Sequence, residues 1–201
     1  VIADGVGGTP HGEVAASLAS ETALWGYKHI RLRPFYGSNH TKLLARIFRS
    51  TNLAVWQKQR EPAFTDGLAT TLLVCLVTNM QFYIGSVGDT SAFLYRDGLI
   101  DQLTREEREA RGRLTNFLGM QRLGLVPQIR VEQFLPNDVV LLATDGVVDF
   151  VSEDRVREIL EQTGDTASSL SLAVETLVAE AEKNNSPDNM TACLIKKNLV
   201  L

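Results

Sequence analysis

Hydrophobic and polar positions follow two different periods along this chain. In the front part, apolar side chains recur at the three- and four-residue spacing of amphipathic helices, which predicts a helix opening at Gly12 and a second over Thr41–Lys58. Short Val-, Thr- and Leu-rich runs then predict strands over Leu68–Val77 and Gln81–Val87, and a hairpin that turns at Asp97-Gly98. We expect these strands to form one antiparallel meander.

The remaining chain mixes both periods. Strands are predicted over Ile129–Phe134 and Val139–Ala143, and a helix is predicted to begin after a Ser152 cap. A longer amphipathic helix over Thr166–Lys183 precedes a final strand, Met190–Ile195. Helices grouped against antiparallel strands indicate an α+β layered fold, and we expect one domain spanning residues 1–201.

Composition excludes several classes of function. Of 201 residues, 44% are hydrophobic, and the net charge of −4 gives no electrostatic reason to expect nucleic-acid binding. No apolar run is long enough for a membrane span. Cys75 and Cys193 lie in apolar runs, so we expect buried thiols in a reducing compartment and a cytoplasmic, bacterial setting. Val1 already lies inside an apolar run, so we expect further residues upstream of it.

The stretch Val139–Asp149 carries the first candidate chemistry. Its apolar run ends abruptly at Asp145-Gly146, and Asp149 follows four residues after the first aspartate. A carboxylate at the end of a buried strand is unfavourable unless something pairs with it, which suggests a metal ion. Taken alone, an ordinary Asp-Gly turn explains the stretch better.

Four aspartates share this position between an apolar strand and a turn: Asp4, Asp89, Asp145 and Asp188. If their strands share a sheet, the four joins converge at one end, where the carboxylates would repel one another unless a cation neutralised them. Oxygen ligands without Cys or His favour Mg²⁺ or Mn²⁺ over zinc. Gly5 lets the backbone come close, so its carbonyl could join the ligands.

Competing motifs fit poorly. The glycine-rich loop after Asp4 lacks the Gly-Lys-Ser/Thr of a P-loop and the spacing of a dinucleotide-binding loop, and no Gly-x-Ser-x-Gly elbow occurs. His11, His29 and His40 show no metal-ligand spacing. A surface or capping role is favoured for each, with His11 close enough to Asp4 in sequence to support the site.

In combination, the motifs resemble those of the metal-dependent protein phosphatases of the PP2C (PPM) type, and the resemblance covers nearly the whole chain. Each motif is weak alone, whereas five in the right order are specific. They are Asp4-Gly5-Val6-Gly7-Gly8, Gly67–Leu72, Gly88-Asp89-Thr90-Ser91, Thr144–Asp149 and Asp188-Asn189-Met190-Thr191.

The resemblance implies an αββα four-layer sandwich, with two antiparallel β-sheets flanked by helices. It also implies hydrolysis of phosphoserine and phosphothreonine in proteins by a water that a dinuclear Mn²⁺ or Mg²⁺ centre activates. Asp4 would bridge the two metals, the Gly5 carbonyl would bind one of them, and Asp145 and Asp188 would complete the first metal's ligands. These three aspartates would therefore carry catalysis.

Further expectations follow from the same resemblance. Asp89 and Asp149 would hold a third, weaker ion or its waters, and Asn189 would support Asp188. Partners would be phosphorylated proteins and a Ser/Thr kinase in a signalling pathway, and the chain would act as a monomer.

Two departures from the family pattern bear on activity. The family's first strand carries a phosphate-binding arginine and an acidic residue, and this chain begins after them. The segment between Thr104 and Asn116 is also shorter than the flap of many bacterial members. An inactive or weakly active phosphatase-like regulatory module therefore stays open as an alternative, as does a structural sandwich whose aspartates are only turn residues.

Overall fold

The computed structural model describes residues 1–110 and 112–198, which form two compact units. The first unit contains residues 1–77, 82–90 and 106–132, and the second contains residues 78–81, 91–105 and 133–201, of which 199–201 lie outside the described residues. None of the helices in the described part combines the length and apolar character that a transmembrane segment requires.

In the first unit, helices cover a three-stranded sheet. Helices α1 (Gly12–Ile30) and α3 (His40–Lys58) pack against each other, and the short α2 (Pro34–Gly37) lies between them in sequence. A single 3₁₀ turn (Pro62–Phe64) follows. The sheet contains β1 (Leu72–Val77), β2 (Gln81–Val87) and β5 (Gln128–Gln133) in the order β1-β2-β5.

The core of this unit follows from the two periodicities in the sequence. Alternate residues of β1, namely Leu72, Val74 and Leu76, join a cluster that also contains Leu44 and Phe48 of α3. Strands β1 and β2 are antiparallel, with Leu72 opposite Val87.

In the second unit, a four-stranded sheet has the order β4-β3-β6-β7. Its strands are β3 (Ser91–Arg96), β4 (Leu99–Gln102), β6 (Val139–Ala143) and β7 (Ala192–Lys196), and all neighbouring pairs are antiparallel. The helices are α4 (Asp145–Val148), α5 (Glu153–Glu161) and α6 (Ala167–Lys183). Side chains of α5 and α6 pack with β6 in a second core cluster.

Strand β6 is buried along its whole length because it is an inner strand of its sheet. It ends at Ala143, two residues before Asp145, so this aspartate follows closely on a fully buried strand.

The α+β class with two antiparallel sheets flanked by helices is confirmed. The single meander is wrong: β1 and β2 belong to one sheet, whereas the β3–β4 hairpin belongs to the other. The chain leaves the first sheet at Gly88, whose φ of 101° breaks the strand. Ser152 caps α5 as predicted, since its hydroxyl accepts the Arg155 N–H.

The prediction that both thiols are buried is also wrong. Cys75 is half-buried, and Cys193 is exposed. The reason for Cys193 is its place on β7, which lies at the edge of its sheet.

Candidate metal centre

Asp4 is held by the first residues of the β1 region. Its backbone N–H donates to Thr71 Oγ1 at 3.0 Å, and its carbonyl accepts the Thr71 N–H at 2.8 Å and the Thr70 hydroxyl at 2.7 Å. Ile2 and Gly5 on either side form single bridges with Leu73 and Thr70. The backbone of Asp4 is therefore fixed by three hydrogen bonds to Thr70 and Thr71.

Gly5 lies directly against the start of α1. A Cβ atom placed on Gly5 would be 2.4 Å from the carbonyl carbon of Gly12, which is closer than any side chain tolerates. The loop that carries Asp4 and the Gly5 carbonyl can pass the helix only because this position is glycine.

Asp89 follows β2 and is only 8% exposed. The loop that carries it touches Thr71, because a Cβ atom on Gly88 would lie 2.7 Å from Thr71 Cγ2. The Thr90 hydroxyl lies 2.7 Å from Thr71 Oγ1, the oxygen that also accepts the Asp4 N–H. One buried threonine hydroxyl thus connects the two aspartate loops of the first unit.

Glu107 fixes the same loop from another direction. Its carboxylate accepts the Gly88 N–H at 3.0 Å, and its own N–H donates to the Gly88 carbonyl at 3.1 Å. Asn116 also donates to this carboxylate. Glu107 belongs to the densely charged stretch Arg105–Arg113, a pattern typical of a solvated surface, yet these bonds leave it half-buried; Arg111 lies outside the described residues.

Asp145 and Asp149 lie on one helical turn in the second unit. Asp145 begins α4 and Asp149 is its C-cap, with the Asp149 N–H donating to the Asp145 carbonyl at 3.0 Å. The Asp145 side chain is half-buried and accepts the Gly146 N–H at 2.8 Å, whereas Asp149 is exposed. The four-residue spacing seen in the sequence is therefore one turn of helix.

Asp188 is brought to this turn by close backbone packing. A Cβ atom on Gly146 would lie 2.4 Å from the Asn189 carbonyl oxygen and 3.4 Å from Asp188 Cβ. The Ser186 hydroxyl donates to the Gly146 carbonyl at 2.7 Å, and the Thr144 hydroxyl donates to the Asn189 carbonyl at 3.2 Å. The loops that carry Asp145 and Asp188 are consequently locked together.

The structure therefore groups the predicted residues into two clusters. We call Asp4, Gly5 and Asp89 the first aspartate cluster, and Asp145, Asp149 and Asp188 the second. Their strands belong to two sheets, so the condition that all four joins share one sheet is not met. Among the described residues, no three His, Cys, Asp or Glu side chains are grouped closely enough to hold a metal ion.

The donor chemistry of both clusters fits a hard divalent cation. Both offer carboxylate oxygens, and the first adds the Gly5 carbonyl, which is the set that Mg²⁺ and Mn²⁺ prefer. His11 precedes α1 without capping it through its side chain, and its ring packs edge-on against Phe64 at 5.1 Å between centroids. The His29 Nδ1–H donates to the Trp25 carbonyl at 2.8 Å, and His40 packs against Tyr83.

Several supporting residues had no assigned role from the sequence: Thr71, Thr90, Glu107, Thr144 and Ser186. Thr90 directly follows Asp89 and Thr71 lies in the Gly67–Leu72 motif, so membership of a motif was the signal that could have identified both. Glu107 had no such signal, because its bonds to Gly88 depend on chain packing.

Comparison with known proteins gives a consistent family. The family model described as Protein phosphatase 2C matches residues 1–180. Serine/threonine phosphatase stp of Listeria welshimeri is 24% identical over 218 residues, covering 100% of this chain and 84% of that protein. Serine/threonine protein phosphatase PstP of Mycobacterium tuberculosis is 27% identical over 207 residues, covering 94% of this chain but 38% of the relative.

Solved structures show the same fold. A crystal structure of PstP/Ppp from Mycobacterium tuberculosis has a TM-score of 0.81 at 23% identity, covering 98% of this chain and 87% of that one. The catalytic domain of PstP in complex with two manganese ions has a TM-score of 0.79 at 24% identity. The match covers 96% of this chain and 86% of that one. Because the family model spans 180 consecutive residues, this chain belongs to the protein phosphatase 2C family and is an enzyme of the protein phosphatase class.

Proposed function

We propose that this chain removes phosphate from phosphoserine and phosphothreonine in proteins, using two bound Mn²⁺ or Mg²⁺ ions and a third, weaker one. The observation that carries the proposal is the locked pair of loops in the second aspartate cluster. Gly146 has no room for a side chain against Asn189, and the consequence is a fixed spacing between the Asp145 and Asp188 backbones. Ordinary Asp-containing turns do not need such a contact.

The proposed ligands are Asp4, the Gly5 carbonyl, Asp145 and Asp188, with Asp89 and Asp149 holding the weaker ion or its waters. When bound, the divalent ions would lower the pKa of a water molecule and stabilise charge on the phosphoryl oxygens. The chain's own contribution is positional. The hydroxyls of Thr71 and Thr90 in the first unit and the Gly146 contact in the second hold the loops that carry the aspartates. They keep the carboxylates in place against their mutual repulsion.

The arrangement of the chain supports one phosphatase domain over residues 1–201. The family model runs from residue 1 to residue 180 and so includes segments of both compact units. We further propose phosphorylated proteins as substrates, a Ser/Thr kinase as the opposing enzyme, a monomeric state and a cytoplasmic setting. The names of the bacterial relatives support the Ser/Thr specificity.

Asp145→Asn tests the proposal directly. With para-nitrophenyl phosphate and Mn²⁺, we expect this variant to lose more activity than the roughly 10- to 100-fold that follows removal of an outer partner of a metal ligand. Excess EDTA should abolish the wild-type rate. The matched control is Asp97→Asn, at an exposed hairpin position with φ of 51° that asparagine also accepts.

The two alternatives give distinct results in these assays. A non-catalytic regulatory module predicts no hydrolysis above background with Mn²⁺ in either protein. A purely structural role for the aspartates predicts that EDTA changes neither the rate nor the thermal stability. Near-normal hydrolysis by Asp145→Asn, with normal activity of Asp97→Asn, would remove Asp145 from the proposed centre.

A further inference from the structure

Positive charge is concentrated in one part of this acidic protein. Residues 22–60 contain eight of the 20 Lys and Arg residues and none of the 24 Asp and Glu residues, although the whole chain has a net charge of −4. This part comprises most of α1, all of α2 and α3, and their connections. The helical layer of the first unit is therefore strongly basic.

The cations of this layer face solvent. Besides Arg60, which follows α3, six are exposed: Lys28, Arg31, Arg33, Lys42, Arg46 and Arg49. The last three follow one another at spacings of four and three residues along α3, which places them on one face of the helix. Within the described part of the chain, none of these six side chains forms an ion pair.

Large apolar side chains lie among the cations and are also exposed. Trp25 is 57% exposed, Leu32 is 69% and Phe35 is 61%. Two cations touch aromatic rings, with Lys42 Nζ 4.4 Å from the Phe35 ring centroid and the Arg31 guanidinium 5.1 Å from that of Tyr27. Exposed apolar groups and positive charges thus form one mixed surface around the end of α1 and the whole of α2.

We propose that this basic–aromatic surface, made by Trp25, Arg31, Leu32, Arg33, Phe35 and Lys42, docks the protein onto an anionic lipid bilayer. Trp, Phe and Leu side chains that project from the protein enter the boundary between headgroups and acyl chains, and flanking Lys and Arg side chains meet the lipid phosphates. The absence of Asp and Glu from residues 22–60 also matters, because a carboxylate there would repel the same anionic headgroups. This inference does not depend on the proposed metal centre.

The exposure of the apolar side chains favours a bilayer over an acidic protein segment. A peptide is normally held in a groove or along a sheet edge, with its anchoring partners partly enclosed. Leu32 and Phe35, in contrast, project from the turn between α1 and α3 with well over half of their surface in water. Such projecting side chains can enter a lipid bilayer, which needs no enclosing groove.

Flotation with lipid vesicles is the test. Wild-type protein should float with phosphatidylcholine vesicles that contain about one third phosphatidylserine, should not float with pure phosphatidylcholine, and should dissociate at high salt. In a Trp56→Phe background, the emission of Trp25 should shift to shorter wavelength on binding. Absence of flotation with the anionic vesicles would overturn the proposal.

Two paired variants identify the surface. Arg31→Gln with Arg33→Gln should weaken vesicle binding about tenfold or more, and Leu32→Ser with Phe35→Ser should abolish the Trp25 shift. The matched controls, Arg157→Gln and Leu172→Ser, alter exposed residues of the second unit and should bind like wild type. Circular dichroism and an unchanged melting temperature show that each variant is folded.

Two outcomes contradict the proposal. Equal losses in the surface variants and the controls would show that binding does not use this surface. A soluble poly-glutamate peptide that binds wild-type protein, while anionic vesicles do not, would identify an acidic protein segment as the occupant instead of a bilayer.

Discussion

The two aspartate loops of the first cluster are joined through the buried hydroxyls of Thr71 and Thr90, whereas the Asp145 and Asp188 loops of the second cluster are in direct backbone contact at Gly146. Thr71 Oγ1 accepts the Asp4 N–H and pairs with the Thr90 hydroxyl beside Asp89. In the second cluster, Gly146 packs against the Asn189 carbonyl at a distance that leaves no room for a Cβ atom.

The two kinds of contact respond differently to substitution. A threonine hydroxyl can be removed by substituting a side chain of the same shape, such as valine. The backbone then keeps its position and only one hydrogen bond is lost. A glycine that touches a carbonyl cannot be enlarged without moving one of the two loops. We therefore expect a substitution of Gly146 to disturb its cluster more than loss of the Thr71 hydroxyl disturbs the first.

The largest effect is expected from Gly146→Ala. Its Cβ atom would lie 2.4 Å from the Asn189 oxygen, so the Asp188 loop must move away from Asp145. We expect phosphatase activity and Mn²⁺ affinity to fall more than tenfold, and the free energy of unfolding to fall by about 1–3 kcal/mol, as for overpacking elsewhere. Enzyme kinetics, calorimetry and urea unfolding measure these three quantities.

Gly7→Ala is the matched control for this substitution. A Cβ atom on Gly7 meets no atom within 4 Å, so activity and stability should stay close to those of wild type. Gly5→Ala, with its 2.4 Å approach to Gly12, should behave like Gly146→Ala. If Gly146→Ala is as active as Gly7→Ala, the close contact does not hold the second cluster.

A smaller loss of phosphatase activity and Mn²⁺ affinity than for Gly146→Ala is expected from Thr71→Val in the first cluster. The change keeps the shape of a buried side chain and removes the acceptor of the Asp4 N–H, for which we expect a loss of about 1–3 kcal/mol in unfolding free energy. Thr71→Ser retains the hydroxyl, so its Mn²⁺ affinity should be close to that of wild type. If Val and Ser variants bind Mn²⁺ equally, the hydroxyl has no positioning role.

The smallest effect concerns Tyr95, far along β3 from the aspartates. Burial raises the pKa of Tyr95 above its ordinary value of 10.0, with Glu161 and Asp97 adding to the shift and Arg157 opposing it. The folded protein therefore binds the Tyr95 proton more tightly than the unfolded chain does. The resulting contribution to the unfolding free energy is complete below pH 10 and is lost as the pH rises through the raised pKa of the folded state.

Urea unfolding in alkaline solution checks the sign. Between about pH 9 and 11 the unfolding free energy of wild type should decline, and Tyr95→Phe, which has no proton to lose, should show a shallower decline. Equal slopes for the two proteins would show that Tyr95 does not contribute.

Local sequence patterns predicted most of the helices and strands, because interactions between residues close in sequence determine where these form. The Asp97-Gly98 hairpin has positive φ at both turn residues, as this pair requires, and the helices around Leu44 and Leu177 follow the 3.6-residue period. The sequence also placed Asp4, Asp89, Asp145 and Asp188 at joins between an apolar strand and a turn, with Asp149 four residues after Asp145.

Long-range contacts account for what the sequence did not predict. Strand β1 begins at Leu72, not Leu68, because Thr70 forms isolated bridges with Gly5 and Leu118 instead of entering the ladder. The separation of β2 from β3 into different sheets, and the bonds of Glu107 to Gly88, likewise depend on residues distant in sequence. No local pattern contains that information.

Calorimetric titration with Mn²⁺ tests the central claim, that Asp145 is a metal ligand in this phosphatase, most directly. Wild type and the Asp97→Asn control should bind Mn²⁺ with dissociation constants between about 10⁻⁶ and 10⁻³ M, and Asp145→Asn, still folded by circular dichroism, should lose this binding. Unchanged Mn²⁺ binding by Asp145→Asn, or none by wild type, would contradict the account.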